Sequence, residues 1–74
     1  MTPLSELLRV MRKKALLSQE DFAKALSVSV GTINRWENGK TMPNIAAMKK
    51  IKVFCENNSI PFDEIETALI AQKE

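Results

Sequence analysis

The chain lacks the residues on which several classes of protein depend. Its 74 residues include no histidine, one cysteine, two glycines and 5% aromatic residues. A lone cysteine cannot form an internal disulfide. One cysteine and no histidine also cannot supply the ligands of a cysteine–histidine zinc site. Imidazole catalysis and a glycine-rich phosphate loop are excluded as well. We therefore expect no enzymatic activity, no metal, no cofactor and no small-molecule ligand.

Long hydrophobic runs are also missing. No stretch approaches the roughly 20 apolar residues of a membrane span. Arg9 and Arg12 interrupt the apolar N-terminal segment, which is unlike a secretory signal. Both observations predict an intracellular protein. Because aromatic residues are few, we expect the core to consist mainly of leucine, isoleucine, valine, alanine and methionine, with Cys55 as an inert, partly buried thiol.

The distribution of charge says more than its sum. The formal net charge is only +2, but residues 1–40 carry seven basic and four acidic side chains, whereas residues 41–74 carry four and five. A chain of this length forms one domain with one core. A positive excess on one part of such a domain suits a protein that presents one face to a polyanion. Ordinary solvated surface charge is the alternative interpretation.

Hydrophobic periodicity predicts five helices and no β-hairpin. The helices are expected at roughly residues 3–15, 19–26, 30–38, 45–57 and 62–72. Thr2 and Asn44 are candidate caps for the first and fourth helices, and Pro3 is a candidate first helical residue. Ile45 is expected on the apolar face of the fourth helix. The predicted fold is all-α, a compact five-helix bundle formed as one domain by residues 1–74.

Two short helices near the centre of the chain are separated by about three residues. Ser18 begins the first of them, Ser29 caps the second, and Asn38-Gly39 ends it. Two such helices crossing steeply form a helix-turn-helix, in which the second helix enters the major groove of DNA. The residues expected to hold the pair together from inside are Ala23, Val28, Ile33 and Trp36.

On these residues the sequence resembles the phage-repressor-like, Cro/Xre-type helix-turn-helix DNA-binding family. The resemblance extends over roughly residues 4–70 and includes Arg12 upstream and Ile45, Met48 and Ile51 downstream. The matching central residues are Leu17-Ser18-Gln19-Glu20, Phe22-Ala23, Leu26, Val28-Ser29, Thr32-Ile33, Trp36-Glu37-Asn38-Gly39-Lys40 and Pro43. The resemblance implies a sequence-specific, double-stranded DNA-binding transcriptional regulator, expected to be a repressor. It would act as a homodimer in the cytoplasm of a bacterium or phage-infected cell, associated with the nucleoid when bound.

The resemblance also implies roles for individual residues. The expected base-contacting residues are Val30, Gly31, Asn34 and Arg35. The expected DNA backbone contacts are Gln19, Ser29, Thr32, Asn38 and Lys40. Arg12 and Glu37 match an ion pair that ties the first helix to the reading helix. Arg35 can bond a guanine bidentately, whereas Gly31 either admits the DNA backbone or marks a lost contact.

Two further expectations concern a departure from the family pattern in the turn and the contact between two copies of the chain. Ser27 stands where the family usually has a left-handed glycine, at a cost of about 1 kcal/mol. For a dimer contact, the resemblance points to the Asn38–Asn44 loop and to the fifth helix, with Phe62, Ile65 and Leu69.

A rival interpretation is a protein-interaction module, such as an adaptor for polymerase or for a toxin partner, that keeps the fold without specific DNA binding. Val30 and Gly31 at reading positions favour it.

Overall fold

The computed structural model describes residues 3–71, which form five helices and, within that range, no strand. The helices are α1 (Leu4–Lys14), α2 (Gln19–Leu26), α3 (Val30–Glu37), α4 (Ile45–Asn57) and α5 (Asp63–Ala71). The predicted all-α class is confirmed, and each predicted helix is within a residue or two of the observed one. The predicted cap Thr2 and position 72 lie outside the described residues. Within residues 3–71 no helix combines the length and apolar character that a membrane crossing requires.

The start of α1 corrects one expectation. Pro3 is the N-cap rather than the first helical residue, because its ψ of 151° is extended. Its φ of −67° suits both positions, since the proline ring fixes φ but leaves ψ free. The Pro3 carbonyl accepts hydrogen bonds from the backbone amides of Glu6 and Leu7, each at 3.1 Å. The helix therefore begins at Leu4 without a side-chain cap.

The next three helices begin with side-chain caps, as the sequence predicts. In each case a side-chain oxygen accepts a hydrogen bond from the backbone amide of the residue three positions later. The pairs are Ser18 Oγ with Asp21 at 3.1 Å, Ser29 Oγ with Thr32 at 3.1 Å, and Asn44 Oδ1 with Ala47 at 2.9 Å. Such a cap is worth about 1 kcal/mol, which matters for α2 and α3 because each has only eight residues.

The first four helices end alike, with a left-handed residue. These residues are Leu16 (φ 61°), Ser27 (φ 57°), Gly39 (φ 73°) and Ser59 (φ 55°). After Ser27, the amide of Val28 donates to the Ala23 carbonyl at 3.0 Å, which reverses the chain in the turn. Ser27 thus has the conformation expected for a family glycine. Leucine and serine are less suited than glycine to this conformation.

A single hydrophobic core joins all five helices. Its buried members are Leu4, Leu8, Met11, Phe22, Ala23, Leu26, Ile33, Trp36, Ala47, Ile51, Phe54, Cys55, Ile65, Ala68 and Leu69. The rings of Phe22 and Phe54 meet edge to face, with centroids 5.2 Å apart. This contact ties α2 to α4, and the first helix of the motif is thereby fixed to the body of the domain.

Two residues of α4 differ from expectation. Cys55 is fully buried rather than partly buried, and its Sγ lies 3.2 Å from the Sδ of Met11. Burial and the nearby charge of Glu56 raise the pKa of the Cys55 thiol to about 11, so it stays protonated at neutral pH. Ile45, expected on the apolar face, is 57% exposed. It lies two residues before the buried Ala47, and two residues turn a helix by about 200°, so the Ile45 side chain points away from the core.

Candidate nucleic-acid interface

Helix α3 has one buried and one exposed side. Ile33, Trp36 and Glu37 face the interior, each at 5% exposure or less. The outer side carries the four residues predicted to face the bases, Val30, Gly31, Asn34 and Arg35. Their spacing of i, i+1, i+4 and i+5 places them on a single helical face. Asn34 and Arg35 are exposed, Val30 is 44% exposed, and Gly31 is half-buried.

The buried side of α3 contains a charged residue, Glu37. Its carboxylate accepts hydrogen bonds from Arg12 Nε at 2.7 Å and Arg12 Nη2 at 3.1 Å, so the ion pair is bidentate. Gln19 Nε2 donates to the same carboxylate at 3.0 Å. One side chain of α3 is therefore bonded to both α1 and α2. A paired and hydrogen-bonded carboxylate is the form in which burial of a charge is tolerated.

The sequence did not reveal two further contacts of this network. Arg9 Nη2 donates to the backbone carbonyl of Glu37 at 2.9 Å, at the C-terminal end of α3. Arg12 Nη1 donates to the Leu17 carbonyl at 3.0 Å and fixes the α1–α2 connection close to the start of α2. Arg9 lies three residues before Arg12 and so shares its helical face, which was the available signal.

The environment of Glu37 decides its charge state. Burial by itself raises the pKa of Glu37. Hydrogen bonds from Arg12 and Gln19 lower it, as do the positive charges of Arg12 and Arg9. These effects outweigh burial, and the pKa of Glu37 lies below its ordinary value of 4.5. The hydrogen bonds from Arg12 to Glu37 also raise the pKa of Arg12, since they stabilise its charged form. Both partners are charged at neutral pH.

The outer side of α3 carries a second, exposed set of hydrogen bonds. Ser29 Oγ and Thr32 Oγ1 lie 2.8 Å apart, and Arg35 Nη2 donates to Thr32 Oγ1 at 3.2 Å. Further along, Asn38 Nδ2 donates to Asn34 Oδ1 at 3.1 Å. The side chains are thus paired with one another, and a ligand that binds this face exchanges these hydrogen bonds for its own.

Comparison with known proteins fits this geometry. The helix-turn-helix family model matches residues 8–54, from the middle of α1 to α4. The chain belongs to the Cro/Xre-type helix-turn-helix family. It is also 38% identical over 61 residues to a protein described as the HTH-type transcriptional activator BcrR of Enterococcus faecalis. That alignment covers 82% of this chain but only 28% of the relative's length. No solved structure matches the chain significantly.

Within this family's motif, α2 and α3 are the two helices and residues 27–29 are the turn. The predicted phosphate contacts surround α3. Ser29, Asn38 and Lys40 are exposed, and Thr32 is half-buried. Gln19 is also half-buried, and the structure shows its amide bracing Glu37. One proton of that amide remains for a second acceptor. The DNA contacts of these residues and of the outer face of α3 stay predictions.

The Glu37 network predicts a pH-dependent stability. Glu37→Gln removes the carboxylate but keeps its shape, and we expect it to lower the free energy of unfolding by about 3 kcal/mol at pH 7. Because the pKa of Glu37 is lowered by folding, its contribution is complete above the unfolded value near 4.5 and is lost as the pH falls through the folded value. Urea unfolding between pH 7 and pH 3 should show the wild-type and variant stabilities converging at low pH.

The matched control is Glu56→Gln, which changes an exposed carboxylate of α4 and should alter stability by no more than about 0.5 kcal/mol. A gap between wild type and Glu37→Gln that stays constant down to pH 3 would show that the ion pair does not stabilise this fold.

Proposed function

We propose that this domain is a sequence-specific, double-stranded DNA-binding regulator of transcription and that it has no catalytic activity. The observation that carries the proposal is the division of α3 into two sides. Its inner side is fixed to α1 and α2 through Glu37, while its outer side presents Val30, Gly31, Asn34 and Arg35 without a role in the core. A helix so placed can enter a major groove with a defined orientation.

The electrostatics of the motif support this proposal. Glu37 neutralises Arg12, whereas Arg35 and Lys40 are exposed at α3 and just beyond it. The N-terminal ends of α2 and α3 are capped by Ser18 and Ser29, and the free amides of helix N-termini favour phosphate. Arginine pairs bidentately with guanine, and lysine binds phosphate as a point charge. We therefore assign Arg35 to base reading and Lys40 to the DNA backbone.

The direction of regulation is a separate matter. The relative from Enterococcus faecalis is described as an activator, whereas repression was expected from the sequence. Both outcomes use the same reading surface, since activation and repression differ in what the bound protein does to polymerase. Our proposal is therefore regulation of transcription in a bacterial or phage-infected cytoplasm, with repression kept as a prediction.

The experiment that tests this proposal selects bound sites from a random pool of DNA duplexes. We expect one preferred sequence, with an affinity that falls steeply as salt rises from 50 to 200 mM, because phosphate contacts release counterions. Absence of DNA binding at 50 mM salt would refute the proposal. It would favour the rival interpretation, a helix-turn-helix module that binds a protein partner.

Two substitutions separate base reading from phosphate contact. Arg35→Ala should reduce the preference for one base pair by about 1–3 kcal/mol, because it removes a bidentate contact to guanine. Lys40→Ala should weaken binding to all duplexes alike and flatten the salt dependence by about one unit. Fluorescence anisotropy with the selected duplex and its single-base variants measures both effects. If Arg35→Ala weakened every duplex equally, Arg35 would be a phosphate contact.

We also propose that two copies bind together as a homodimer on half-sites about 34 Å apart. Of the residues expected at the dimer contact, Ile65 and Leu69 are largely buried in the core, at 4% and 3% exposure, although Leu69 also lines the groove described next. Their neighbours form a better candidate. Ile45 and Ile70 are 57% and 62% exposed and line a groove of about 200 Å³ between α4 and α5, together with Phe62.

The charges of this α4–α5 groove suit a second copy of the chain. Lys49, Lys52 and Glu66 line it together. In a two-fold contact the same patch meets itself, so each copy needs residues of both signs to pair with its partner. An apolar centre flanked by a basic and an acidic edge meets that requirement.

The double variant Ile45→Ser, Ile70→Ser tests this contact. Serine is neutral, so the long-range attraction to DNA is unchanged. We expect normal affinity for a duplex with one half-site and a loss of at least about tenfold on a duplex with two, because the linked second binding event is lost. Val53→Ser is the control, since Val53 is 53% exposed on α4 but does not line this groove. Undiminished binding of the double variant to the two-half-site duplex would place the dimer contact elsewhere.

A further inference from the structure

The side chain of Arg35 is exposed, but its guanidinium does not point straight away from α3. It folds back toward the N-terminal end of the helix, where Nη2 donates to Thr32 Oγ1 at 3.2 Å. Its Nη1 lies over Gly31, 3.4 Å from the point that a Cβ on this residue would occupy. The charged group of Arg35 is thus carried to the first turn of α3.

Thr32 is itself held in position. Its hydroxyl lies 2.8 Å from Ser29 Oγ, and the same Ser29 oxygen accepts the Thr32 amide at 3.1 Å. A threonine side chain has few rotamers in a helix because it is branched at Cβ. The N-cap of α3 therefore fixes Thr32, and Thr32 in turn provides a fixed acceptor for Arg35.

The backbone conformation at position 31 does not require glycine. Gly39 is the glycine that adopts a positive φ, whereas Gly31 lies in regular helix, where alanine is more stable. What its missing side chain provides is space for the Arg35 guanidinium. A Cβ would make ordinary contact with Nη1 at 3.4 Å, so alanine fits here, and we expect the additional carbons of a larger side chain to crowd the guanidinium. The two interpretations offered from sequence, backbone approach and a lost contact, overlook this role.

We propose that Gly31 and Thr32 form a seat that holds the guanidinium of Arg35 in place. Thr32 is then a positioning residue that determines specificity for guanine through Arg35. This inference rests on the proposed function. The N-terminal residues of a reading helix contact base edges in helix-turn-helix complexes, and the seat places the guanidinium at that end. Nη1 and the second proton of Nη2 remain free to bond O6 and N7 of one guanine. On this basis Thr32 acts through Arg35 instead of contacting a phosphate.

The test uses Thr32→Val, which removes the hydroxyl and keeps the shape, with Thr32→Ser as the control that keeps the hydroxyl. The readout is the affinity ratio between the selected duplex and the duplex in which adenine replaces the guanine that Arg35→Ala identifies. We expect Thr32→Val to lower this ratio by about tenfold, within the discrimination of a bidentate contact. Thr32→Ser should keep it within about twofold.

Two further variants make the test specific. Gly31→Val should lower the same ratio, because its methyl groups occupy the space of the guanidinium. In an Arg35→Ala background, Thr32→Val should leave the ratio unchanged, since the residue that it positions is gone. Thermal unfolding followed by circular dichroism checks that each variant is folded.

The outcomes separate this inference from the proposed function. If the wild-type chain prefers guanine and Thr32→Val prefers it equally, the seat is refuted and the proposed function stands. If Thr32→Val weakens both duplexes alike, in the Arg35→Ala background as well, Thr32 is a phosphate contact and the seat is again refuted. If the wild-type chain shows no sequence preference, the proposed function fails, and the reading role of the seat fails with it.

Discussion

The hydrogen bonds of the buried Glu37 carboxylate are the interaction on which the orientation of α3 depends. This carboxylate lies where α1, α2 and α3 meet, and it receives donors from Arg12 and Gln19. A buried carboxylate bonded in a fixed geometry permits little rotation of the helix that carries it. Hydrophobic contacts at Ile33 and Trp36 hold α3 in the core, but such contacts are non-directional. The directional bonds of Glu37 therefore set which side of α3 faces outward.

This arrangement explains how two eight-residue helices form a binding surface. Helices this short are not stable alone and depend on tertiary packing and capping. Ser18 and Ser29 cap them, and the core and Glu37 fix them in place. The residues on the outer side of α3 are then not needed for packing of the core. This side carries hydrogen bonds among its own side chains, including that of Arg35 to Thr32, and these order the surface before a ligand arrives.

Much of the fold could be predicted from local signals. The caps at Ser18, Ser29 and Asn44 follow from residue type and spacing, whereas the left-handed conformation of Ser27 follows from the family resemblance. The buried stripe of Ile33 and Trp36 followed from helical periodicity, and the outward positions of α3 followed from the family resemblance. The errors concern contacts between elements. Periodicity placed Ile65 and Leu69 on an apolar face correctly, but it could not tell that Ile65 is enclosed in the core while Leu69 also borders the α4–α5 groove. Nor does it indicate where long side chains go, so the contact of Arg9 with α3 and the folding back of Arg35 were missed.

The central claim is that α3, held in one orientation, reads base edges from the major groove. The most direct measurement replaces each guanine of the selected duplex in turn with 7-deazaguanine, which lacks the N7 acceptor of the major groove and keeps Watson–Crick pairing. Our account predicts that one replacement per half-site lowers affinity by about tenfold, because the bidentate arginine contact loses one of its two acceptors and keeps only O6. It also predicts that Arg35→Ala is insensitive to that replacement. Full affinity of the wild-type chain for every substituted duplex would contradict the account.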